Sequence, residues 1–169
     1  MNRILVAGSF IIVLCIALFL GSRINAQEKK ESENLYVLAD DLKFKNGVEF
    51  MKLKMYHKAA ETFNEYLEIY PHGIHRADAY RYLAELFAAK MEYLKAIEKY
   101  RALYEEFGNT EAGIEAYFNI GLCYQKMGYD KEAAEVLNDL IQNHGDSPYA
   151  REAKTLLDVQ SMLSEDRNQ

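Results

Sequence analysis

Tyr80-Arg81-Tyr82-Leu83-Ala84-Glu85-Leu86-Phe87, followed by Lys90-Met91-Glu92-Tyr93 and then by Ala96-Ile97-Glu98-Lys99-Tyr100-Arg101-Ala102-Leu103-Tyr104, is the stretch that decides the fold. Tyr80, Leu83, Ala84 and Phe87 stand at i, i+3, i+4 and i+7. Ala96, Ile97, Tyr100, Leu103 and Tyr104 repeat that stripe, which is the period of an amphipathic helix. The four residues between the stripes predict a tight turn. A small residue on the first helix facing an alanine on the second lets the two axes approach closely, with bulky neighbours filling the gaps.

The same pattern recurs 37 residues away on both sides. Gly47, Ala84 and Gly121 share one slot, and Ala59, Ala96 and Ala133 share another. Phe50, Phe87 and Tyr124 fall three residues after each small one; Phe63, Tyr100 and Leu137 fall four after each alanine. Six small residues in six slots mark an internal repeat. Its copies end at Tyr70-Pro71-His72-Gly73, Phe107-Gly108-Asn109-Thr110 and His144-Gly145-Asp146-Ser147-Pro148, where Ser147 suits an N-cap and Pro148 a first helical position. The expected helices lie near 34–53, 56–70, 75–90, 93–106, 111–127, 130–143 and 148–163.

Composition agrees with an all-α domain. The 169 residues are 50% apolar and 27% charged, and two prolines are too few for a turn-rich all-β fold. Two cysteines cannot form a disulfide scaffold. A net charge of -6 argues against sequence-independent nucleic-acid binding, which needs a basic face.

The N-terminus reads as an address. Met1-Asn2-Arg3 precedes an apolar run from Ile4 to Leu20, then Gly21-Ser22-Arg23-Ile24-Asn25-Ala26, then a dense charge run. That order predicts a signal peptide over 1–26, either cleaved after Ala26 or retained as a signal anchor, with the remainder exported. Cys15 lies inside the apolar run rather than at its end, so lipidation is not expected. Residues 27–39 are expected to be a charged segment and the start of the first helix, with 27–33 disordered; 164–169 are expected to be a disordered tail.

With these residues in hand, the chain resembles the tetratricopeptide repeat (TPR) family. The second copy carries the family pattern in Tyr80, Leu83, Ala84, Phe87, Tyr93, Ala96 and Tyr100. The third carries it in Tyr117, Ile120, Gly121, Tyr124, Ala133 and Leu137, and the first in Gly47, Phe50, Tyr56, Ala59, Phe63 and Pro71. Lys43 and Asn46 depart from it, which suits an N-terminal end of the array. The resemblance implies a TPR-type helical-hairpin solenoid: three repeats of 37 residues over 40–150 and a C-terminal capping helix over 151–163. The linkers look like those of bacterial envelope TPR proteins of the BamD-like (outer-membrane protein assembly) and YbgF-like (periplasmic, division-linked) type.

The resemblance also implies where a partner would bind, on the concave face lined by the first helix of each pair. The family's contact positions correspond to Asp41, Phe44, Val48, Met51 and Lys52 in the first copy. They correspond to Asp78, Arg81, Glu85, Ala88 and Ala89 in the second, and to Glu115, Phe118, Leu122, Gln125 and Lys126 in the third. Phe44, Val48, Met51, Phe118 and Leu122 would be apolar anchors, with Lys52, Arg81, Glu85, Gln125 and Lys126 around them, unless the N-terminal segment or the capping helix covers them. Gly47, Ala59, Ala84, Ala96, Gly121 and Ala133 would serve repeat packing. Phe44 and Val48 replace the lysine and asparagine of the chaperone-tail clamp, which disfavours that function.

Chemistry is sparse by comparison. His72 and His75, even with Asp78, make a weak metal site, and no cofactor is expected. Cys123 sits between Leu122 and Tyr124 and reads as buried filler. The thirteen tyrosines mostly fall in repeat slots. The expectation is a non-enzymatic protein-binding scaffold in the bacterial periplasm or at the inner membrane, supporting an envelope complex. If the signal is retained, its membrane contact would be through residues 4–20 alone, and self-association is open. An accessory subunit of a solute-uptake system is the second expectation.

Overall fold

The structure is a computed structural model that describes the backbone of residues 2–166 and the side chains of Arg23 and 27–162. Every regular element among the described residues is a helix: α1 (Asn2–Lys52), α2 (Tyr56–Ile69), α3 (Arg76–Ala89), α4 (Tyr93–Phe107), α5 (Glu111–Met127), α6 (Asp130–Asn143) and α7 (Pro148–Asp166). The chain divides into two compact units, Met1–Asp41 and Leu42–Gln169.

The first unit differs from the sequence expectation. Residues 27–33, expected to be disordered, lie inside α1, which begins far ahead of residue 34. The charge run is built from good helix formers without Gly or Pro, Lys29 and Glu33 pair at 4.0 Å across one turn, and a helix already nucleated on both sides extends at little cost. Low hydrophobicity limits what such a segment can bury; it does not oppose the helix. At the other end, 164–166 belong to α7, and 167–169 lie outside the described residues. Among the described residues no helix is long and apolar enough to cross a membrane. The expected apolar segment 4–20 has no described side chains and lies outside that statement.

In the second unit, helices pack in sequence as hairpins. The end of α1 pairs with α2, α3 with α4 and α5 with α6, and the first helix of one pair also meets the first helix of the next. The small slots lie where the helices touch. A Cβ on Gly47 would sit 2.6 Å from the Phe63 ring, and one on Gly121 2.7 Å from a Leu137 methyl. Ala59, Ala84, Ala96 and Ala133 are fully buried. Three buried clusters follow, centred on Phe63, Tyr66 and Leu83, on Tyr100, Leu103 and Ile120, and on Phe118, Leu137 and Leu140.

Both kinds of connection repeat in register. Each hairpin turn has the residue at one equivalent slot in the left-handed region: Lys54 at φ 57°, Met91 at 60° and Gly128 at 76°. Each closes the same pair of hydrogen bonds, for example Met91 N to Ala88 O at 2.9 Å and Glu92 N to Phe87 O at 2.9 Å, which satisfies the last carbonyls of the helix. Each linker to the next pair closes on an aromatic carbonyl: Gly73 N to Tyr70 O at 3.0 Å, Thr110 N to Phe107 O at 2.8 Å, and Ser147 N to His144 O at 2.9 Å. Thr110 and Ser147 then cap α5 and α7, accepting from Gly113 N at 3.2 Å and Ala150 N at 3.0 Å.

Arg76 ties the first seam. Its guanidinium donates to Glu106 at 2.6 and 2.7 Å, to the carbonyls of Leu67 and Tyr70 at 2.8 and 3.2 Å, and to the Tyr80 hydroxyl at 3.1 Å. The hydrogen bond to Glu106 holds the guanidinium in its charged form despite burial.

Candidate protein-binding site

The structure separates the expected contact residues into three groups. Phe44 and Phe118, expected to be exposed anchors, are buried. The Phe44 ring stacks on His75 with centroids 4.2 Å apart and packs against Phe63, Tyr66 and Tyr82. Phe118 lies beside Tyr149 of α7, in the cluster that holds Leu137, Leu140 and Ala153, with Leu122 half-buried against it. The cause is the same at both sites: the next first-position helix, α3 in one case and α7 in the other, closes over the slot and removes it from solvent. These residues bind the fold, not a partner.

A second group remains accessible without gathering anywhere. Lys52 is exposed and pairs with Glu49 at 2.7 Å; Gln125 is half-buried and Lys126 exposed; Val48 is half-buried against the first cluster. Asp41 belongs to the N-terminal unit.

The third group converges. Met51, Glu85 and Ala89 line a half-open cleft of about 340 Å³ together with Tyr56, Leu86 and Lys90. Met51 comes from the end of α1, Tyr56 from the start of α2, and the others from the second half of α3 and its C-cap. The walls are mostly apolar, and charge is confined to Glu85 and Lys90. Sequence reasoning missed Tyr56 and Lys90 as lining. Tyr56 occupies a repeat-packing slot of the family pattern yet is 42% exposed, and no local signal separates a packed ring from one that walls a cleft.

A charged strip continues from the cleft along α3 and on to α5. Arg81 hydrogen-bonds Asp78, and Glu85 and Glu115 add to the negative field around it. Burial opposes the Arg81 charge, but Asp78 and the two glutamates outweigh it and raise the guanidinium's pKa. Glu85 keeps part of its surface in water, yet loss of solvent at the cleft wall raises its carboxyl above the ordinary range. Arg81 opposes that rise, while Glu115 and Asp78 add to it. Three carboxylates around one guanidinium leave the strip net negative.

Other sequence candidates find packing roles. The His75 ring is the stacking partner of Phe44. Among the described residues no group of three or more His, Cys, Asp or Glu is placed to hold a metal ion. Cys123 is buried in the second cluster, and burial pushes its thiol up to about 11, away from thiolate chemistry.

Residues 115–147, the greater part of α5 and α6, match the family model of the tetratricopeptide repeat. The fold is a tetratricopeptide-repeat solenoid. The TPR domain of Arabidopsis OM64 is similar, with a TM-score of 0.56, 18% identity, and coverage of 73% of this chain and 98% of that one. A C-terminal TPR-containing domain from a Plasmodium falciparum protein described as FK506-binding gives 0.55 and 19% identity over 79% of this chain and 93% of that one. No curated protein matches the sequence. At these identities the likeness carries the fold alone, so the partner has to be argued from the cleft and the charged strip.

Proposed function

We propose that this TPR chain is an exported, non-enzymatic adaptor of the bacterial envelope, working in the periplasm or held at the inner membrane and supporting assembly or maintenance of an envelope complex. The observation that carries the binding reading is the cleft between Met51, Tyr56, Leu86 and Ala89, apolar on its walls, with Glu85 leading from it to the acidic strip around Arg81. A partner segment presenting one large apolar side chain, with a lysine or arginine beside it, would bury the former in the cleft and set the latter against Glu85, Asp78 and Glu115. The order of positive flank, apolar run and small residues in 1–26 supports export. The linker resemblance supports the envelope.

In-cell crosslinking of the tagged full chain tests this, comparing wild type with Ala89→Trp, which fills the cleft from its exposed rim, and Glu85→Arg, which inverts the strip. One envelope protein captured by wild type and lost in both variants, with unchanged helical circular dichroism, supports the reading. Capture of the same proteins by all three versions removes the cleft from consideration.

A further inference from the structure

The three hairpin turns form a surface that neither the fold nor the cleft explains. Over 51–58, 88–95 and 125–132, which are the same eight slots of successive repeats, there are seven lysines (52, 54, 58, 90, 95, 126 and 131) against three acids, in a chain whose acids outnumber its bases. All seven lysines are exposed, and three of them, Lys52, Lys95 and Lys131, also pair with Glu49, Glu92 and Glu135. Between them project apolar tips: Leu53 at 64% exposure, Met91 at 76% and Leu94 at 68%, with Met55 and Tyr129 also exposed. The left-handed backbone at Lys54 and Met91 gives two of these turns their reversal without a glycine, so both positions carry a side chain at the tip.

We propose that this turn edge docks on an anionic lipid bilayer surface, with Leu53, Met91 and Leu94 entering the headgroup boundary and the lysines pairing with lipid phosphates. Two features select a bilayer over a protein. Lysine is depleted from protein interfaces but common at membrane surfaces, where its alkyl stem lies along the apolar phase and its ammonium reaches the headgroups. The apolar tips are spread over separate turns, Leu53 on the first and Met91 and Leu94 on the second, where the latter two border an open hollow of about 320 Å³ with Tyr93 and Met127, and a deformable phase can follow all of them at once. This contact would add to the one expected of residues 4–20. It overlaps the cleft only at Lys90, which the test below leaves unchanged.

The chain contains no tryptophan, so one placed at the edge reports locally even while residues 4–20 partition into vesicles. Full-length Leu94→Trp is mixed with phosphatidylglycerol vesicles or phosphatidylcholine vesicles, each with brominated acyl chains. A second full-length variant, Asn109→Trp, places the reporter on the linker between α4 and α5. The expected result is a blue shift and quenching at 94 with phosphatidylglycerol alone, and neither at 109. Adding Lys54→Glu, Lys126→Glu and Lys131→Glu should weaken the response at 94 by about a hundredfold or more, given that each basic residue near an anionic surface contributes roughly fivefold to partitioning. No response at 94 in the folded protein, equal responses at 94 and 109, or indifference to the charge reversal would overturn the proposal. So would a response to soluble polyglutamate that exceeds the one to vesicles, which would make the ligand an acidic protein.

Discussion

Phe118→Ala separates a packed residue from a binding residue more sharply than any other single change. The ring is 4% exposed and sits among Leu137, Leu140, Ala153 and Tyr149. Truncating a buried phenylalanine costs about 3–5 kcal/mol, combining lost transfer energy with the cavity left behind. That is a large share of the roughly 5–15 kcal/mol that holds an ordinary domain together. Where the loss lands follows from the array: among the described residues α7 packs on α5 and α6, and Phe118 is part of that contact. The expected result is a fall of about 10 °C or more in the main thermal transition followed by circular dichroism. It should be accompanied by faster amide exchange over 148–162, while 93–107 stays protected. A destabilisation of about 0.5 kcal/mol or less, the range of an ordinary surface substitution, would refute the packing argument and return Phe118 to solvent.

Arg76→Ala should destabilise by about 2–3 kcal/mol, because Glu106 and the Leu67 and Tyr70 carbonyls lose charge-assisted hydrogen bonds; Arg76→Lys should recover little, since an ammonium cannot fork between them. Urea titration measures both. At the hairpin turns, Met91→Gly should raise stability by up to about 1 kcal/mol and Gly128→Ala should lower it by about 1 kcal/mol, because both positions have positive φ and only one is already glycine; opposite signs in paired thermal melts are the check. Alkaline pH should unfold the array. Burial raises the Cys123 thiol to about 11 and, with the Asp139 hydrogen bond, the Tyr117 phenol to about 12, and burial also raises Tyr100. The unfolded chain therefore releases these protons first: stability is full below about pH 9 and drains away as pH rises towards 12, so melting temperature should hold to pH 9 and fall beyond it.

The repeat was readable because close helix approach admits few side chains, and a slot that must be Gly or Ala announces itself at every copy. Helix ends were readable for a similar reason at Ser147 and Pro148, where local chemistry alone makes the cap; Thr110 caps α5 in the same way. The facing of Phe44 and Phe118 was not. A periodic position tells which side of its own helix a residue occupies, but whether that side is open depends on the neighbour that arrives later in the chain. Arg76 gave no local sign either, since its partner Glu106 is 30 residues away. The left-handed turns were visible only at Gly128; Lys54 and Met91 adopt the same backbone without the residue that would flag it. Residues 27–33 illustrate the reverse error, in which polarity was taken for absence of structure although the residues favour a helix.

The two seams between repeats put very different residues in one slot. Counting 37 from Arg76 arrives at Gly113, and counting 37 from Tyr70 arrives at Phe107. At the first seam the guanidinium reaches the Tyr70 carbonyl with a long side chain. At the second the backbone itself closes in, so that a Cβ on Gly113 would fall 2.1 Å from the Phe107 oxygen. The three units thus share a ruler but are not spare parts for one another. A chimera that moved the second repeat into the third position would bring an arginine to a place with no room for a methyl group. The reverse exchange would put a glycine where Arg76 stands and Asn143 where Glu106 stands, leaving the Leu67 and Tyr70 carbonyls without the guanidinium.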